Sequence, residues 1–193
     1  MTHPIPSRAA AWDILCRYNE TDRSRRHARA VEHVMGFLAR RHGEDVELWG
    51  MVGLLHDLDW EKYPEEHCVK AKELLEDEGW PEVIVRGVVS HAWGICTDVE
   101  PLSLMEKTLY AVDELTGLVY AAALVRPNRS IADMKAKSIK KKWKDKRFAA
   151  GVDRSVIERG AEMLGVELGD LITDVIVAMR EIADELGLDE VPG

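Results

Sequence analysis

Residues 46–60 read VELWGMVGLLHDLDW, and this stretch decides how the chain folds. Up to Leu55 it is apolar nearly all round apart from Glu47, with no alternation of apolar and polar positions. Such a pattern describes a helix buried on every side. It ends in His56 and Asp57, two polar side chains that an apolar interior accepts only with partners. A helix of this kind needs other helices around it, and the rest of the chain supplies them. Apolar residues recur at three- and four-residue steps, and no stretch alternates strictly enough for a sheet. The periodicity predicts helices over about 7–19, 24–42, 45–58, 65–78, 81–92, 102–126, 130–144, 153–164 and 169–187, an all-α fold.

Punctuation agrees. Gly43 follows Arg40, Arg41 and His42 as a C-terminal cap with cations in the last turn. Pro64 and Pro81 stand at first-turn positions, and Ser130 and Asp153 are candidate N-caps. With 193 residues, one domain with appended helices is expected, spanning 1–193 with a core over about 20–126 and a C-terminal extension over about 127–193. The final helix, DLITDVIVAMREIADEL, has a broad apolar face expected to pack on the core rather than on a second copy, and either a monomer or a homodimer fits.

The formal net charge of -9 disfavours nucleic acid and anionic membranes as general partners. No run approaches the roughly 20 apolar residues of a membrane span, and the opening MTHPIPSRAAAWDILCRYNE lacks the pattern of a secretory leader. The cytoplasm is the expected location. The three cysteines, Cys16, Cys68 and Cys96, are odd in number and never form a Cys-x-x-Cys pair, so they read as reduced, mostly buried thiols.

Of the seven histidines, those facing inward matter. Val31, Val34 and Leu38 lie within about 40° of His27 around its helix, whereas His33 lies about 120° away. His91 shares a face with Ile84 and Val88, and His67 opens EEHCVKAKELL in line with Ala71 and Leu74. Asp113 is one of two charges in the seventeen residues LYAVDELTGLVYAAALV. His27, His56 with Asp57, His67, His91 and Asp113 are therefore offered to a common interior. A mixture of imidazole and carboxylate without thiolate suits Mn, Fe, Ni, Co, Zn or Mg. Each residue also has a plainer reading. His27 alone is more often a satisfied core or capping histidine than a ligand, Asp113 can instead pair with Arg26 or Arg86, and His67 can equally face solvent in the first turn.

Taken as a set, His27, then His56-Asp57 after 56 - 27 = 29 residues, then Asp113 after 113 - 57 = 56 residues, resembles the HD-domain superfamily of metal-dependent phosphohydrolases. The likeness covers about residues 20–125, in the contexts RRHARAVEHV, GLLHDLDWEKYPEEH, VVSHAW and LYAVDELTGLV, and is nearest to small predicted HD hydrolases. It implies a helical HD-type bundle with extra C-terminal helices, and one metal held by His27, His56, Asp57 and Asp113. It also implies hydrolysis of a nucleotide or other small phosphate ester by a metal-activated hydroxide. Members with a second metal hold it through two histidines between the doublet and the last aspartate, where this chain has only His67 and His91. One or two ions per chain are thus expected. Asp57 would ligate, and would bridge if two ions are present; Asp59 and Glu61 resemble positions that some members use to orient the ligands or to transfer a proton, which would make Asp57, Asp59 and Glu61 the catalytic carboxylates. The tandem histidines of the variant that cleaves cyclic dinucleotides are absent, since Ala92 follows His91. The same ligand set would also serve a di-iron oxygenase, and the fold alone a non-catalytic nucleotide sensor.

Two local features offer cations to a phosphorylated substrate. Arg23, Arg25 and Arg26 immediately precede His27, with Arg23 and Arg26 taken as substrate contacts. KAKSIKKKWKDKR, residues 135–147, carries eight cations, among them Lys140 and Lys142. This run reads as a solvated helix face, a lid over a polyphosphate, or a weak nucleic-acid patch with Trp143 for stacking.

Overall fold

The computed structural model describes residues 5–189; the first four residues of the opening segment read for a leader, and residues 190–193, lie outside them. Its helices are α1 Arg8–Tyr18, α2 Asp22–His42, α3 Val46–Leu55, α4 Val69–Asp77, α5 Glu82–Ser90, α6 Leu104–Leu124, α7 Ala136–Trp143, α8 Arg154–Leu164 and α9 Leu168–Glu181, with a short 3-10 turn at Pro64–Glu66. Among the described residues there is no strand, only an isolated bridge between Trp93 and Thr97, so the chain is all-α. No helix among them is long and apolar enough to cross a membrane.

The chain divides into two compact units, Met1–Tyr110 and Ala111–Gly193. In the first, α3 is the central helix: α2 packs along it most extensively, and α1 and α5 cover it from other sides. Every residue from Trp49 to Leu55 is buried, as its all-round apolar composition requires. Close approach to α2 is built into Gly53, where an added Cβ would lie 2.9 Å from both Met35 Cγ and the Val31 carbonyl oxygen. Asp45 starts α3 by accepting the N–H groups of Glu47 and Leu48, and Gly43, at φ 72°, ends α2. Arg86 bonds Glu106 at 2.9 Å and the Glu100 carbonyl, while Glu106 takes the Leu102 and Ser103 N–H groups at the start of α6. Arg86, weighed above as a partner of Asp113, therefore serves Glu106.

In the second unit α7 and α8 pack on α9, whose Leu171, Ile172, Val175, Ile176, Ala178 and Met179 are buried. The apolar face of the last helix is thus covered within its own chain. Gly160 of α8 approaches Ala111 so closely that a Cβ would sit 2.5 Å from its Cα. This contact sets α8 against the part of α6 that belongs to the second unit.

Several helix ends differ from those read in the sequence, each for a local reason. The stretch 56–63 is a succession of turns, with Leu58, Trp60 and Tyr63 N–H groups bonding the carbonyls of Leu55, Asp57 and Asp59. Helix α4 begins at Val69 and not at 65, because His67 is extended (φ -53°, ψ 138°) and Cys68 takes φ 69°. Ser130 caps no helix; its hydroxyl accepts the Ala132 N–H in a turn, and α7 starts at Ala136. Pro81 is the N-cap of α5 and not its first residue. Helix α9 stops at Glu181, followed by turns that include Gly187 at φ 65°. Of the cysteines only Cys68 is buried: Cys16 is half-buried and Cys96 exposed.

Candidate metal centre

The first unit gathers four imidazoles around one carboxylate. His27, half-buried on α2, places Nε2 3.8 Å from Asp57 Oδ2. His56, wholly buried at the end of α3, places Nε2 3.3 Å from the same oxygen. The other oxygen, Oδ1, lies 3.7 Å from Nε2 of both His67 and His91. Neighbouring rings are edge-to-face, with centroids 5.1 Å apart for His27–His56, His56–His91 and His67–His91. Asp57 thus turns one oxygen to each of two histidine pairs. The turn that carries it is held by Asn19, whose Nδ2 donates to the carbonyls of Leu58 at 2.9 Å and Asp57 at 3.3 Å.

The tautomers follow from the other ring nitrogens. His56 Nδ1 lies 2.7 Å from the Gly53 carbonyl and His91 Nδ1 2.6 Å from the Val88 carbonyl. A carbonyl oxygen only accepts, so both Nδ1 atoms carry hydrogen and both Nε2 atoms turn a lone pair inward in the neutral ring. His67 obeys the same rule through a side chain: its Nδ1 donates to Asp59 Oδ1 at 2.7 Å. The Nε2 atoms of His67 and His91 then face one another at 3.3 Å. Opposed lone pairs beside a carboxylate repel unless a cation lies among them, which makes this donor set fit a metal ion.

No protein-family model, curated protein or solved structure matches the chain. The chemistry of the centre is carried by its own donors. His67, Cys68 and His91 form a buried group able to hold a metal ion. Within it, Cys68 Sγ is 3.9 Å from His91 Nδ1, the nitrogen already committed to Val88. The thiol therefore stands behind the ring, and the donors that converge are the two Nε2 atoms and Asp57.

His67 is buried, so the solvent-facing reading falls away. It reaches the centre without being helical, on the turn ahead of α4. Asp59 is wholly buried, with Oδ1 on His67 and Oδ2 accepting the Ala71 N–H at 2.7 Å. Both oxygens are occupied in holding structure, a different role from a proton shuttle. Glu61 is also placed elsewhere. It accepts the N–H groups of Glu20 and Thr21 and the Thr21 hydroxyl, pinning the start of α2. Its carboxyl lies below the usual range: burial acts to raise it, and donors from Ser24, Thr21 and Glu20 outweigh that. Asp113 lies on α6 beyond the division between the units and is half-buried.

Arg23 is exposed in the first turn of α2, one turn ahead of His27, and Arg26 is half-buried beside it. Arg25 instead braces α1 by donating to the Asn19 and Cys16 carbonyls. The lysine-rich run forms α7 in the second unit with only Ile139 buried. There Lys140 Nζ lies over Gly169, Lys142 Nζ sits 4.3 Å from the centre of the Phe148 ring, and Trp143 donates to Glu158 at 2.8 Å. These contacts favour a structured basic face over a stacking platform.

Three neighbours of the centre escaped the sequence reading. Trp60, half exposed, stands edge-on to His67 with centroids 5.0 Å apart. Cys96 is exposed, and its thiol is pushed up by burial and then by the charges of Asp59 and Asp57. Asn19 is a buried polar residue in a short linker. Only the position of Trp60, three residues past the doublet, carried any signal.

Proposed function

We propose that this chain is a metal-dependent phosphohydrolase of the HD type, acting on a nucleotide or other small phosphate ester in the cytoplasm. The observation that carries the reading is the division of the Asp57 carboxylate between the Nε2 atoms of His27 and His56 and those of His67 and His91. His27, His56 and Asp57 would hold one divalent ion, and His67, His91 and Asp57 could hold a second. The resemblance also assigns Asp113 the role of a metal ligand. Mn, Fe, Ni, Co, Zn and Mg remain the ions that suit these donors, with imidazole-rich coordination favouring the transition metals.

A divalent cation so held lowers the pKa of water and offsets charge on phosphoryl oxygens. The chain's own residues prepare the place. His56 and His91 are locked by main-chain acceptors and His67 by Asp59, so the ligands need little reorganisation on binding. Arg23 and Arg26 flank His27 and offer forked contacts to phosphate in a protein of net negative charge. Trp60 provides an apolar wall on the His67 side. Hydrolysis adds water across the phosphorus–oxygen bond and releases phosphate and an alcohol.

The His67–His91 pair also favours a second reading, a di-iron oxygenase, because that chemistry needs both halves of the centre. One screen separates the two. Phosphorylated metabolites are incubated with Mn, Fe, Co, Ni or Mg and with the parent or Asp57→Ala protein, while phosphate release and oxygen uptake are followed. Phosphate release by the parent alone supports hydrolysis; oxygen uptake with an iron-loaded protein and no phosphate release supports the oxygenase. Equal phosphate release by the variant sinks the hydrolase assignment.

A further inference from the structure

His56, His67 and His91 each donate Nδ1–H to an acceptor, and one acceptor is unlike the others. His56 and His91 use carbonyls three residues back in their own helices. His67 follows only the short 3-10 turn Pro64–Glu66, the chain is extended there, and Cys68 turns to φ 69° before α4 begins. Cys68 gives α4 no side-chain cap, which leaves first-turn N–H groups wanting an acceptor. Asp59 serves both needs with one carboxylate, Oδ1 to His67 and Oδ2 to Ala71 in the first turn of α4. It is wholly buried, and its own carbonyl receives the Tyr63 N–H at 2.7 Å, so its position is fixed by the turn after α3.

The geometry points to Asp59 as the positioning residue that makes the His67–His91 half of the centre able to bind its ion. It fixes His67 in the tautomer whose Nε2 lone pair meets Asp57 Oδ1 and His91. Without it the buried His67 ring loses the one bond that sets its tautomer and orientation, and the half-site loses an oriented ligand. The His27–His56 half does not depend on Asp59 because its ordering comes from α2 and α3. The chain thereby sets the second ion's affinity through a residue that touches neither ion nor substrate. This rests on the two-ion reading proposed above.

Full-length parent, Asp59→Asn, Asp59→Ser and His67→Ala proteins are stripped with chelator and titrated with Co2+, following heat and visible absorption. An Asn at position 59 satisfies only one of two facing donors, and Ser is small enough to fold where Asn fails. The parent is expected to take two equivalents. Both Asp59 variants keep the first and bind the second about 10–100-fold more weakly, with a changed absorption band for that step. Introducing Asp59→Asn into His67→Ala adds no further weakening. A role confined to capping α4 would lower the melting temperature and leave the Co2+ band of the second step unchanged, which overturns the proposal. So does a further loss in the His67→Ala background as large as in the parent. A parent that takes one equivalent overturns the two-ion reading itself and this inference with it.

Discussion

His67 and His91 point their Nε2 atoms at each other across 3.3 Å, while both Nδ1 atoms are held by acceptors on the far sides of the rings. The pair lies 24 residues apart in sequence and on different segments, a turn and the end of α5. Their opposed lone pairs, with Asp57 beside them, form a concentration of electron density that a buried site tolerates poorly without a cation.

Metal removal is therefore expected to lower stability. Chelated protein should melt below protein supplied with Mn2+ or Co2+, and metal present at about 100 times its Kd should add about 2.7 kcal/mol to folding. Differential scanning calorimetry with and without chelator checks this. An unchanged midpoint at saturating metal would show that the folded centre has no preference for a cation.

Asp57→Ala should separate binding from folding. The variant loses the carboxylate shared by both histidine pairs, so Co2+ uptake should fall by about 100-fold or more at each step. Chelated Asp57→Ala protein should melt at or above the chelated parent, because the repulsion between its oxygens and the Nε2 lone pairs is gone. Calorimetric titration and melting curves of the two chelated proteins make the comparison.

Gly53→Ala links core packing to the centre. The new methyl meets Met35 Cγ and the Val31 carbonyl oxygen at 2.9 Å, and a backbone atom does not move aside cheaply. A loss of about 1–3 kcal/mol is expected from denaturant unfolding. Since the Gly53 carbonyl is also the acceptor for His56 Nδ1, displacement of α3 should weaken Co2+ binding as well. Gly36→Ala, whose nearest neighbour is the side-chain Val46 Cγ1 at 3.4 Å, serves as the milder control.

Asp153 offers a pH-dependent test in the second unit. Its carboxyl lies below the usual range because it accepts the Ser155 hydroxyl and N–H at the start of α8. A folded-state pKa below the unfolded one contributes stability above the unfolded value and loses it as pH falls through the folded one. Asp153→Ala should cost about 1 kcal/mol at neutral pH, the usual worth of an N-cap. The difference from the parent should shrink in acid, as followed by urea unfolding between neutral pH and the acid limb.

Much of this was legible along the chain. The all-round apolar composition up to Leu55 required a helix covered on all sides, and α3 is that helix from Trp49 to Leu55. His27 fell on the stripe with Val31, Val34 and Leu38, and it faces Asp57. Gly43 and Asp153 marked helix ends by the conformations and hydrogen bonds that their residue types favour. Ser130 misled because a serine hydroxyl closes a local turn as readily as it caps a helix. His67 misled in a more instructive way. Its spacing to Ala71 and Leu74 fitted a helix, but the bond to Asp59 stabilises an extended residue there and starts α4 two residues later.

The sequence by itself determined the helical class, the buried helix that ends in His56-Asp57, and which histidines lie on apolar stripes. These follow from periodicity, since the rise and turn of a helix translate spacing directly into a face. Only the tertiary structure decided that Asp57 gives one oxygen to His27 and His56 and the other to His67 and His91. It also decided that Asp59 holds a histidine in place and that Glu61 holds the start of α2. Periodicity reports the face a residue occupies on its own element. It carries no record of which distant segment meets that face, and the direction of a carboxylate oxygen is set by donors brought there when the helices pack.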